Sequence, residues 1–67
     1  MEGIVDIHDL RFRWELREGP ARGPARCTLH VAFGELTMAR QYSETLTKDE
    51  AQTEAARLVP EMLSRVN

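Results

Sequence analysis

The chain has 67 residues, a formal net charge of −2 and a hydrophobic fraction of 42%. Its length bounds it to one small domain, residues 1–67, which buries only about 60% of the surface its unfolded form exposes. The acidic balance argues against a general polyanion binder, no stretch approaches the roughly 20 apolar residues of a membrane span, and a lone cysteine, Cys27, excludes an internal disulfide.

Met1 to Asp9 is acidic and has no long apolar run, which argues against a signal peptide. It holds a short apolar cluster, Ile4, Val5 and Ile7, ahead of His8-Asp9. Ile7 is odd-numbered, whereas the apolar residues that follow are even-numbered. A period-two pattern that changes phase predicts a bulge or bend near His8-Asp9. Leu10 to Arg17 is the clearest strand. Leu10, Phe12, Trp14 and Leu16 alternate with Arg11, Arg13, Glu15 and Arg17, which gives one apolar and one charged face. Gly19 to Arg26 repeats GPAR once, and its two Gly and two Pro mark a loop between strands. The basic residues are eight Arg and one Lys, a skew that points to a GC-rich bacterial genome.

Cys27 to Phe33 alternates again, with Cys27, Leu29, Val31 and Phe33 on one face and Thr28, His30 and Ala32 on the other. Gly34-Glu35 suits a type II′ hairpin turn. The next strand, Leu36 to Tyr42, carries Leu36, Met38 and Tyr42 on its apolar side. Arg40 falls in the same row, where its stem can pack while its head stays in water.

The last third reads as one amphipathic helix. Thr47 is an N-cap and Glu50, three residues on, completes a capping box. Leu46 can staple onto Ala51, and Asp49 and Glu50 suit the positive end of the helix dipole. Ala51, Ala55, Leu58, Val59, Met62, Leu63 and Val66 form an apolar stripe. Gln52, Glu54, Arg57, Glu61, Ser64 and Arg65 fall on the opposite face, with Arg57–Glu61 and Glu61–Arg65 at ion-pair spacing. Pro60 interrupts the stripe, so the helix either kinks there or ends near Leu58.

These elements predict an α+β fold, a three-stranded antiparallel β-meander with one C-terminal α-helix on one face (β-β-β-α). The expected core is Leu10, Phe12, Trp14, Leu16, Leu29, Val31, Phe33, Leu36 and Met38 against Leu58, Val59, Met62 and Leu63. The order, together with Thr47-Lys48-Asp49-Glu50-Ala51, Glu54-Ala55-Ala56 and Met62-Leu63, resembles the final part of a double-stranded RNA-binding domain. That family also packs its last helix on a three-stranded meander. It places a helix before the first strand, for which this chain has too few residues. It also opens the last helix with a basic cluster, of which only Lys48 carries over. Small antitoxins of the HicB type, with a short sheet and an acidic, Ala-rich helix, are similar to a comparable degree.

Three groups are candidates for function. Arg11, Arg13, Arg17 and His30 share the outer sheet face, with Arg22 and Arg26 in the adjoining loop, and several Arg on a flat sheet can contact phosphates. The bland reading is an ordinary solvated face, because Glu15 sits among them and no aromatic is interleaved for base stacking. His8-Asp9 has the composition of a base with its orienting carboxylate, but neighbours in a turn point apart and no nucleophile is near in sequence. Cys27 opens an inward row and reads as a small buried hydrophobe. His8, His30 and Cys27 lack metal-ligand spacing, so no cofactor or metal is expected. The unpaired cysteine points to the cytoplasm. The expected activity is non-enzymatic, through a protein partner or self-association as a homodimer, because three strands leave two edges unpaired and Ile4, Val5 and Ile7, outside the expected core, either form an extra edge strand or pair across a two-fold axis with another copy.

Overall fold

A computed structural model describes residues 1–18 and 25–65. The sheet has four strands, β1 (Glu2–Ile7), β2 (Leu10–Glu18), β3 (Cys27–Phe33) and β4 (Leu36–Tyr42), followed by helix α1 (Lys48–Ser64). All neighbours are antiparallel and the order is β1-β2-β3-β4. The α+β class and the C-terminal helix match the sequence reading, but the meander has one more strand than the three expected. The extra strand is the Ile4–Ile7 cluster, which pairs with β2 as an edge strand.

Of the bulge or bend expected near His8-Asp9, the structure has a bend, in the form of a tight hairpin turn. Ile7 pairs with Leu10, and His8 (φ 52°) and Asp9 (φ 65°) both adopt left-handed backbone. Positive φ at both central residues defines a type I′ turn, whose twist matches that of the flanking strands. In a two-residue hairpin the flanking residues face the same side, so odd-numbered Ile7 and even-numbered Leu10 both point inward. Neither turn residue is Gly. His and Asp tolerate this region better than most side chains, at some cost in strain. Replacing the pair by Asn-Gly, the preferred type I′ sequence, is expected to stabilise the domain by about 1 kcal/mol. Urea unfolding would register this as a higher midpoint at unchanged slope. A lower midpoint would contradict the turn geometry.

At Gly34-Glu35 only Gly34 has positive φ (61°), as the expected type II′ turn requires. Residues 19–24, most of the expected GPAR loop, lie outside the described residues, as does Val66 of the helix stripe.

The helix begins as its sequence dictates. Thr47 Oγ1 accepts from the Glu50 N–H, and Glu50 Oε1 accepts from the Thr47 N–H at 2.9 Å. It continues through Pro60 to Ser64. Pro60 is solvent-exposed, while its neighbour Val59 and the flanking Leu58 and Met62 are buried. Burial of the stripe thus outweighs the backbone hydrogen bond that proline removes.

The core holds Val5, Phe12, Trp14, Leu16, Cys27, Leu29, Val31 and Met38 beneath Ala51, Ala55, Leu58, Val59 and Met62. Phe33, Leu36 and Leu63 are packed at its margin, and the Phe12 and Phe33 rings lie 4.9 Å apart. Leu10, expected inside, is 38% exposed. It stands beside the hairpin turn at the end of the inner face.

Two helix assignments are corrected. Glu61 pairs with Arg40 of β4, and Arg57 lies 3.6 Å from Glu54, in place of the expected Arg57–Glu61 and Glu61–Arg65 pairs. Arg40 stands in the inward row at the edge of β4, so its guanidinium meets the helix from below. Gln52, assigned to the solvent face, reaches the sheet. Trp14 Nε1 donates to Gln52 Oε1 (2.6 Å), and Gln52 Nε2 donates to the Ile4 carbonyl (2.9 Å). One amide thus ties α1 to both β1 and β2.

Candidate functional site

Strand alternation places Glu2, Ile4, Asp6, Arg11, Arg13, Glu15, Arg17, Thr28, His30, Ala32, Thr37, Ala39 and Gln41 on the face opposite the helix. Four of the residues singled out from sequence, Arg11, Arg13, Arg17 and His30, share this face. Arg26 is exposed just before β3, where its N–H donates to the Tyr42 carbonyl at 2.7 Å. Arg22 lies outside the described residues.

The register sets the electrostatics of this face. Ile4 stands across from Arg13, Asp6 from Arg11, and Glu15 lies between Glu2 and His30. Arg11 Nε lies 3.2 Å from Asp6 Oδ1, and Arg17 Nε lies 2.7 Å from Glu15 Oε1. The Arg17 guanidinium holds the Glu15 carboxyl below its ordinary pKa, with His30 adding a smaller pull. Both pairs are exposed, so each contributes little to stability. Their larger effect is on charge. Three arginines, Arg11, Arg13 and Arg17, face three carboxylates, Glu2, Asp6 and Glu15, so the face is formally neutral. Among the described residues Arg13 takes part in no ion pair.

The other candidates are separated by the fold. His8 and Asp9 are consecutive exposed turn residues, and no hydrogen bond joins their side chains among the described residues. Cys27 is buried and its thiol donates to the Glu44 carbonyl at 3.2 Å. No group of three or more His, Cys, Asp or Glu among the described residues is placed to hold a metal ion. No described helix is long and apolar enough to cross a membrane.

Towards β3 and β4 the face becomes small and uncharged, with Thr28, Ala32, Thr37, Ala39 and Gln41. The two sheet edges differ. Met1 and Leu16 exchange backbone hydrogen bonds, which fixes the alternation along β1 and turns the Glu2, Ile4 and Asp6 backbones to the open side. There Gln52 already occupies the Ile4 carbonyl. Along β4, the two-residue turn makes Phe33–Leu36 a hydrogen-bonded pair, so Thr37, Ala39 and Gln41 turn their N–H and C=O outward. Side-chain hydrogen bonds among the described residues reach none of these three. Sequence reasoning missed Gln52, Gly3 and the difference between the edges. The only advance signal was a Gln set among alanines, since Gly3 meets Trp14 only once β1 pairs with β2.

Comparisons with protein-family models, characterised proteins and solved structures give no match. The likeness to double-stranded RNA-binding domains therefore rests on the residues quoted for it.

Proposed function

We propose that this chain is a non-enzymatic protein–protein interaction module that works through the part of its sheet the helix leaves bare. The observation that carries this reading is the asymmetry of the sheet. One face is packed under α1, while the opposite face is formally neutral and ends in an edge strand whose outward backbone groups have no partner among the described residues. A neutral face with small side chains favours contact with another polypeptide over a polyanion, which needs net positive charge to release counterions. The buried, unpaired Cys27 and the preference for Arg over Lys support a cytoplasmic protein of a GC-rich bacterium.

The competing reading is a nucleic-acid-associated protein or antitoxin-like regulator using Arg11, Arg13, Arg17 and His30. The two separate in one experiment. Pull-down from lysate with and without nuclease, alongside binding to duplex RNA and DNA at low salt, is expected to retain protein partners after nuclease and to show no salt-dependent nucleic-acid binding. An Arg11→Glu/Arg13→Glu variant should then behave as wild type. Binding that weakens steeply with salt, with a logarithmic slope of about −0.7 to −0.9 per phosphate contacted, and that the double variant abolishes would establish the competing reading.

A further inference from the structure

We propose that β4 is the self-association edge, joining a second copy of this chain antiparallel about a two-fold axis through Ala39 to form one continuous sheet. The proposal deepens the interaction-module reading and rests on it. Its first support is the contrast between the edges. On β1 the helix amide of Gln52 takes the central outward carbonyl, that of Ile4. A β1 pairing about Ile4 would also set Glu2 directly across from Asp6 of the second copy, and like charges directly opposite disfavour pairing. On β4 the outward backbone groups of Thr37, Ala39 and Gln41 carry no such cap from the described residues.

Its second support is register. With the axis at Ala39, Ala39 faces itself and Thr37 faces Gln41 of the second copy. These are the residues whose N–H and C=O point outward, so each pairing exchanges about two hydrogen bonds. On the helix side, Leu36 faces Tyr42 and Met38 faces Arg40 of the second copy, with no like charges opposed. Shifting the axis to Arg40 would set two guanidinium groups face to face. A charge in the inward row of an edge strand commonly guards against such pairing. Here Arg40 is already committed to Glu61 of its own helix, which weakens that guard. The closed two-fold also consumes the β4 edge of both copies and leaves outward only the β1 edges, where Gln52 holds the Ile4 carbonyl and Glu2 would oppose Asp6.

The test measures mass by sedimentation equilibrium or light scattering on the intact chain up to high micromolar concentration. Wild type is expected to rise to twice the 7.7 kDa chain mass. Ala39→Pro removes an outward N–H without touching the β3 ladder, so it should halve the mass at unchanged far-UV circular dichroism. Ala39→Lys keeps the backbone intact and opposes two charges at the axis. It should also give monomer at low salt, with dimer recovered at high salt. Ile4→Lys, on the other edge, should remain dimeric. A wild type that stays at the chain mass overturns this proposal, while the nuclease-treated pull-down still decides the broader reading. A dimer that survives both Ala39 variants, or that Ile4→Lys dissociates, overturns it as well.

Discussion

Gln52→Leu is expected to destabilise the domain by about 1–3 kcal/mol, because it strands a buried indole N–H. Trp14 is 2% exposed, and the Gln52 amide accepts from its Nε1 at 2.6 Å. Leucine fills similar space but offers no acceptor, so the indole loses its water without gaining a partner. The second half of the amide adds less. Its bond to the Ile4 carbonyl lies at a sheet edge, where water can replace it. A domain of this length has a total stability of roughly 3–10 kcal/mol. The expected fall in melting temperature is therefore large, on the order of 4–8 °C for each kcal/mol. Trp14 is the only tryptophan, so its fluorescence reports the site directly. Gln52→Glu separates the two bonds, since an ionised carboxylate still accepts from the indole but cannot donate to Ile4. It should retain more stability than Gln52→Leu. Equal losses would show that the indole bond contributes nothing, and no loss in either variant would show that the tether does not form.

The parts of this fold legible in the sequence are those encoded locally. Thr47 and Glu50 meet across one turn of helix, so their spacing alone specifies the cap. The rows Phe12-Trp14-Leu16 and Cys27-Leu29-Val31 alternate cleanly, so period two identifies both strands and their inward faces. The first strand was obscured for two physical reasons. Its inward row begins with Gly3, which has no side chain to mark the pattern, and Ile4 places an apolar residue on the outer face, 50% exposed. The turn that follows lacks the Gly or Asn that usually signals a type I′ hairpin. Omitting that strand had a consequence for the candidate site. Arg11, Arg13, Arg17 and His30 do share a face, as alternation requires, but Glu2 and Asp6 come to lie beside them only when β1 pairs with β2. A face that reads as cationic on three strands is neutral on four. The Arg40–Glu61 and Trp14–Gln52 contacts join residues 21 and 38 positions apart, and no spacing rule reaches that far.

Gly3→Ala should disrupt the same corner from the opposite side. A β-carbon at Gly3 would stand 2.5 Å from Cζ2, 2.6 Å from Cε2 and 2.7 Å from Nε1 of Trp14. No relaxed structure holds carbon atoms so close, so either the indole or β1 must move. The indole has little freedom. It is buried beneath α1, and its Nε1 is held by Gln52, which also holds β1 through Ile4. Overpacking of this kind typically costs about 1–3 kcal/mol. The narrower unfolded ensemble of alanine offsets at most about 1 kcal/mol of that. The net loss should appear as a lower melting temperature together with a shifted Trp14 emission. A cheaper escape is for β1 to peel from β2, since it is an edge strand with one neighbour. Amide exchange distinguishes the two responses. Loss of protection confined to the Gly3, Val5 and Ile7 amides and to the Leu10, Phe12, Trp14 and Leu16 amides that pair with β1, with the β2–β3 ladder still protected, would indicate a detached strand over an intact three-stranded core. Uniform loss across β2 and β3 would mean that the indole has moved and the core with it. Unchanged stability and unchanged emission would show that the indole does not rest on Gly3. Combining Gly3→Ala with Gln52→Leu should cost less than the sum of the two, because both act through the position of one ring.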